Sequence, residues 1–134
     1  MRIFLGGTCA GSEWRDRFVK LLDDDIEYFN PVVDNWTEKA QRREKIERIR
    51  CDKVLYCITP KMEGVYSIAE ATEDAINNGD KCVFVYLRED DGSEFSDAQL
   101  KSLAAVGELL DKYGALVYTS LEETADYFNG RIDQ

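Results

Sequence analysis

The order of apolar runs in this 134-residue chain predicts an α/β fold. The expected architecture is a three-layer sandwich on a five-stranded parallel sheet, flavodoxin- or Rossmann-like, with strand order 2-1-3-4-5. Three observations predict it. Short apolar runs alternate with amphipathic stretches along the chain, as strands joined by crossover helices do. The run Val54 to Ile58 is apolar throughout, the pattern of a strand covered on both faces. That run stops at Thr59-Pro60, and a turn-rich segment with Gly64 leads into a helical pattern.

The elements follow in order. Arg2 to Gly6 is a first strand, and Gly6, Gly7, Gly11 and Ser12 make a flexible loop. A helix from about Glu13 to Leu22 carries Trp14, Phe18, Leu21 and Leu22 on one face. Ile26 to Phe29 is a second strand, stopped by Asn30-Pro31. Trp36 to Arg50 is helical by composition, with Trp36, Ala40, Ile46 and Ile49 its only apolar residues. Its charges mix in sign at helical spacing, which predicts surface ion pairs on a solvated face for most of them. Lys53 to Ile58 is the third strand. Val65, Ile68, Ala69, Thr72 and Ile76 form the expected core stripe of the next helix, which Asn78-Gly79 closes in the usual glycine manner. Cys82 to Leu87 is a fourth strand, followed by an acidic loop from Arg88 to Ser93. Ser96 caps a helix to about Tyr113, with Leu100, Leu103, Gly107 and Leu110 inward. Leu116 to Tyr118 is a short fifth strand. Ser120-Leu-Glu-Glu123 reads as a capping box opening a last helix, with Leu121, Ala125, Phe128 and Ile132 on one face. The length suits one domain spanning 1–134.

Composition narrows the function. The net charge is −10, which disfavours a basic surface for nucleic acid or anionic membrane. There is no histidine, which removes the usual general base, Ser-His and Cys-His pairs, and His-bearing zinc motifs. None of the four cysteines stands as C-x-x-C, and Cys57 and Cys82 lie in apolar strand runs. With no leader pattern, a cytoplasmic location is expected. No apolar run is long enough to span a membrane.

In the expected topology the switch point lies between strands 1 and 3. The Gly6–Ser12 and Thr59–Gly64 loops flank it, so a small-molecule site is expected there. Gly6 and Gly7 bring backbone close to a ligand, or make a tight turn. Thr8 and Ser12 are hydroxyls beside a helix start, suited to a phosphate. Asn30, Asp34 and Trp36 follow strand 2, where Asp34 is either a polar ligand-binding group or a turn or cap residue, and Trp36 either a stacking ring or, more in keeping with its type, a core or interface residue. Thr59, Met62, Glu63 and Gly64 line the third-strand loop, and Ser67 and Glu70 follow near the helix start. Cys9 reads as an incidental thiol.

Three segments resemble the nucleoside 2-deoxyribosyltransferase-like superfamily: Ile3-Phe-Leu-Gly-Gly7 with Trp14, Tyr28 through Trp36, and Cys51-Asp52 through Ala71. The resemblance covers roughly the first four strands. It implies cleavage or exchange of the N-glycosidic bond of deoxynucleosides or their monophosphates. It implies a glutamate nucleophile at the helix after strand 3, a second acidic group assisting the leaving base, and no metal or organic cofactor. It also implies a homo-oligomer whose neighbours complete each other's sites, with Asn129 as a weak counterpart of a C-terminal asparagine that reaches a neighbour's site. Aligning Ala69 and Ala71 with the family's small residues puts Ser67 at the nucleophile position, and a shifted helix start puts Glu70 there. Glu70 and Glu63 are the candidate catalytic carboxylates. The alternative is a non-catalytic nucleotide-binding module on the same fold.

Overall fold

The computed structural model describes residues 1–9 and 11–132. Its strands are β1 (Arg2–Gly7), β2 (Glu27–Phe29), β3 (Lys53–Ile58), β4 (Cys82–Tyr86), β5 (Glu89–Asp90), β6 (Ser93–Glu94) and β7 (Leu116–Tyr118). Its helices are α1 (Trp14–Val19), α2 (Glu38–Arg50), α3 (Tyr66–Asn78), α4 (Asp97–Lys112) and α5 (Leu121–Phe128). Five strands form one sheet in the order β2-β1-β3-β4-β7, with every pairing parallel. This is the order expected from the sequence.

Alternation along the strands builds two cores. Ile3, Leu5, Leu55 and Cys57 face one way and pack with Trp14 and Phe18 of α1 and with Leu121, Ala125 and Phe128 of α5. Phe4, Val54, Tyr56 and Ile58 face the other way, toward Ala71 and Ala75 of α3 and Leu103 and Leu110 of α4. Fully burying a side chain such as Leu55 or Phe84 contributes roughly 1.5–3 kcal/mol, so the three inner strands β1, β3 and β4, almost wholly buried, carry most of the sheet's hydrophobic stabilisation.

Several expectations change. Helix α1 is shorter than expected, and Leu21 is left exposed beyond its end. Three of the five residues expected to face the core in α3 are turned outward: Val65 is 68% and Ile76 55% exposed, and Ala69 is exposed too, while Thr72 is half-buried. The residues that face the sheet are Ala71 and Ala75, with Ile68 packed beside them. Small side chains let the helix approach, and this rotation carries Glu70 and Asp74 inward instead of out.

Gly79 does not end α3 in a left-handed conformation. Its φ is −55°, and the chain continues into a 3-10 turn over Gly79–Lys81. Glycine is needed here because a Cβ would fall 1.8 Å from the Tyr113 carbonyl oxygen. The acidic loop is a β5–β6 hairpin turning on Asp91 (φ 48°) and Gly92 (φ 85°). Asp-Gly is the residue pair such tight hairpin turns favour. Ser96 and Gln99 form a complete capping box on α4. At α5, Ser120 accepts from the Glu123 amide, but its hydroxyl meets the Glu123 carboxylate instead of the reciprocal backbone bond forming. Helix α5 ends at Phe128, so Ile132 lies beyond it.

Candidate functional site

The site is built where β1 and β3 end. Gly7 has φ 119°, and a Cβ there would lie 2.1 Å from the Cys57 carbonyl oxygen. Only glycine allows this approach, and Thr8 N–H then donates to that oxygen at 2.9 Å. The Thr8 hydroxyl is buried and accepts from Thr59 N–H at 3.0 Å. Thr59 is fully buried, and its own hydroxyl accepts from Lys61 N–H at 3.2 Å. Ser12 donates to Asp90 and accepts from Trp14 N–H at 3.3 Å. These three hydroxyls therefore join the two loops to one another and to the hairpin. Thr8 and Ser12, expected beside a phosphate, thus have structural partners of their own, and the α1 they precede has six residues.

A cleft of about 310 Å³ opens beside this junction. Its floor includes Phe4, Gly6, Gly7 and Tyr56, and its apolar wall is Pro31, Val32, Val33 and Trp36. Its charged lining is Arg15, Glu44 and Glu70, with Ser67 one helical turn before Glu70. An adjoining cavity of about 260 Å³ shares Gly7, Cys9 and Ser67 with it and adds Thr8, Met62, Glu63, Gly64 and Tyr66. Glu63 is exposed there. Cys9 is an exposed thiol, whereas Cys51, Cys57 and Cys82 are buried.

The expected residues thus divide. Gly6, Gly7, Trp36, Ser67 and Glu70 come together in the cleft, and Thr8, Met62, Glu63 and Gly64 line the adjoining cavity. Asn30 instead forms a local turn, accepting from Val32 N–H at 3.0 Å. Asp34 is exposed and lines neither space. Thr59 is enclosed below the loop surface. Asn129 is far from its own chain's cleft in role: it accepts from Asp23 N–H at 2.8 Å and donates to Leu21 O at 2.9 Å, fastening the end of α1 to α5.

Sequence reasoning alone passes over the polar network beneath Glu70. Arg48 of α2 reaches the Glu70 carboxylate at 3.2 Å and Asp74 at 3.0 Å. Its Nε donates to the Tyr56 hydroxyl at 3.0 Å, and that hydroxyl donates to Asp74. Burial lowers the proton affinity of Arg48, but Tyr56, Asp74 and Glu70 together hold it firmly protonated. Burial and the Asp74 carboxylate push the Tyr56 phenol well above its ordinary range. Burial also raises the Glu70 pKa, with Glu44, Asp74 and Glu73 adding to it and Arg48 opposing. Glu44 is raised by burial as well, against the pull of Arg48 and Arg15. Arg48 holds Glu70 by Oε2, and Oε1 has no hydrogen-bond partner among the described residues. The Glu70 carboxylate is thus held through one oxygen, partly desolvated, and part of the cleft lining.

The fold defines an open parallel α/β protein, and the cleft lies at its topological switch point. Within that class, residues 1–91 match the family model described as nucleoside 2-deoxyribosyltransferase like, and the chain belongs to this family. The match takes in β1 through β4 and so contains the whole of the cleft lining. No curated protein matches the chain. Among the described residues no helix is long and apolar enough to cross a membrane.

Proposed function

We propose that this chain binds a deoxynucleoside or deoxynucleotide in the cleft and breaks its N-glycosidic bond through Glu70. The observation that carries the reading is Glu70 itself: it faces the cleft, Arg48 orients one oxygen, and the other is left open. In the reaction the Glu70 carboxylate bonds to C1′ as the C1′–N bond breaks. The electron pair leaves with the base, which takes up a proton. Water or a second base then attacks C1′, restoring the carboxylate. The transition state resembles an oxocarbenium ion, which a facing carboxylate stabilises. Ser67 has no base to activate it, as the chain contains no histidine, so its hydroxyl is assigned to binding. Glu63, in the adjoining cavity, is the candidate for assisting the leaving group. No metal or organic cofactor enters this scheme. A homo-oligomer is part of the proposal.

The test is incubation with deoxynucleosides and their 5′-monophosphates, with free base followed by chromatography. Wild type should release base, and Glu70→Gln should lose at least about a thousandfold in rate, as loss of a nucleophile typically does. Full activity in that variant would remove Glu70 from the role.

A second reading is a module that binds such a ligand without cleaving it. Ser67 favours it, because it lines the cleft at the position where the family's small-residue pattern would set the glutamate. Ligand binding with no base release from any substrate would decide for this reading.

A further inference from the structure

This inference rests on the ligand class proposed above and assigns the residues that read its base. Arg15 is 5% exposed, yet no carboxylate pairs with it among the described residues. Its Nε donates to Leu5 O at 2.9 Å and its Nη1 to Thr8 O at 2.7 Å. Nη2 has only long contacts, to Gly7 O at 3.4 Å and the Cys9 sulfur at 3.8 Å. A guanidinium carries five N–H donors in one plane, so the Nη2 end keeps donor capacity where Arg15 lines the cleft.

Glu44 lines the same cleft from α2, and it forms no hydrogen bond or ion pair among the described residues. Each of the two charges senses the other without their touching. Beside them stands the apolar wall of Val32, Val33 and Trp36, the last 58% exposed. A buried donor and an unpartnered acceptor next to an apolar wall form the elements of a site for a flat heterocycle. A ligand edge offering both an acceptor and a donor meets the spare Nη2 donor and the half-buried Glu44 carboxylate together.

We infer that Arg15 and Glu44 read the base edge, with Arg15 Nη2 donating to a ring nitrogen or carbonyl oxygen and the Glu44 carboxylate accepting from an adjacent N–H. Each natural base offers such a neighbouring pair. An unsubstituted purine offers ring-nitrogen acceptors but no N–H on that edge, so it leaves Glu44 without a donor. Sites built around a hydrogen bond reject ligands that lack the matching group.

The experiment compares natural deoxynucleosides with the unsubstituted-purine deoxynucleoside. Dissociation constants are measured in Glu70→Gln protein, where turnover does not intervene, and kcat/KM in protein with Glu70 intact. The best natural nucleoside should bind at least about tenfold tighter than the unsubstituted purine. Glu44→Leu should bring that ratio close to one, and Glu44→Gln should leave an intermediate value. Circular dichroism of each variant checks that the fold is kept. Using the ratio of two ligands cancels any general effect of Glu44 on Glu70. An unchanged ratio in Glu44→Leu, or equal affinity in the starting protein, overturns the inference and leaves the proposed function standing. Discrimination without base release supports the inference and removes the catalytic reading, and absence of binding by every nucleoside removes both.

Discussion

At the scale of single residues, Glu70 and Glu44 are coupled, and the coupling has a sign. Burial is the main cause that raises the Glu70 pKa, and Arg48 opposes it. Glu44 from α2, Asp74 and Glu73 from α3 itself then add to the rise. A nucleophilic carboxylate works ionised, so the rate should fall on the acid side as Glu70 takes up its proton. That acid limb should lie above the ordinary glutamate range. Glu44→Gln removes one of the raising charges, so the limb should move to lower pH. Arg48→Met removes the opposing charge and should move it higher. A kcat/KM profile against pH measures both, and opposite displacements to those stated would exclude Glu70 as the titrating group. The sequence shows Glu70 as a candidate but not its partners. Arg48 reads as one more charge in a mixed run, because its partners Tyr56, Glu70 and Asp74 lie on two other elements. The surface ion-pair expectation does hold for Arg42 and Glu38, an exposed pair one turn apart.

At the scale of elements, the hairpin β5–β6 acts as a brace for the cleft loops. Asp90 is wholly buried, and Arg17 pairs with it at 2.9 Å. Burial alone would raise its pKa, but hydrogen bonds from Ser12, Thr59 and Arg17 outweigh that and hold the carboxyl below its ordinary value. The group therefore stabilises the fold above its unfolded pKa, and the contribution is lost as pH falls through the lower folded pKa. Asp90→Asn should cost about 2–3 kcal/mol near neutral pH, lowering Tm by roughly 5–10 °C. The gap between variant and wild type should close in acid. A thermal melt series against pH checks this, and a gap independent of pH would remove the charge from the explanation. The sequence shows this segment as an acidic loop, and its Asp91-Gly92 pair forms the hairpin turn. What the sequence does not announce is that the neighbouring aspartate is buried, since its partners stand at Ser12, Arg17 and Thr59, across the switch point. Helix α2 shows the same limit. With Glu47 its one buried residue, it is seated by polar links, including Arg2 to Glu47 at 2.6 Å, and such links have no periodicity to read.

At the scale of the whole molecule, the misplaced stripe of α3 becomes informative. The periodicity of Val65, Ile68, Ala69, Thr72 and Ile76 is genuine, yet Val65 and Ile76 stay largely exposed, as does Tyr66. The strand order was legible because alternating runs and right-handed crossovers leave few topologies. Which side of α3 faces the sheet was not, because Ala71 and Ala75 suit the close approach better than the larger residues do. Val65, Tyr66 and Ile76 are exposed on one helix, and exposed apolar side chains gathered on one element suit a contact surface. We expect a second copy of this chain to cover it, in keeping with the proposed homo-oligomer. Like charge on the two copies opposes association, and salt screens it over about 8 Å at physiological ionic strength. Light scattering coupled to size exclusion should therefore give at least twice the 15.4 kDa chain mass, with the larger species gaining as salt rises. Ile76→Glu sets a charge in the row and should shift the population to single chains while the circular dichroism spectrum is kept. A single-chain mass at every concentration and salt would show that α3 is not such a surface. If the variant assembles as wild type does, the contact lies elsewhere, and the outward stripe has no part in it.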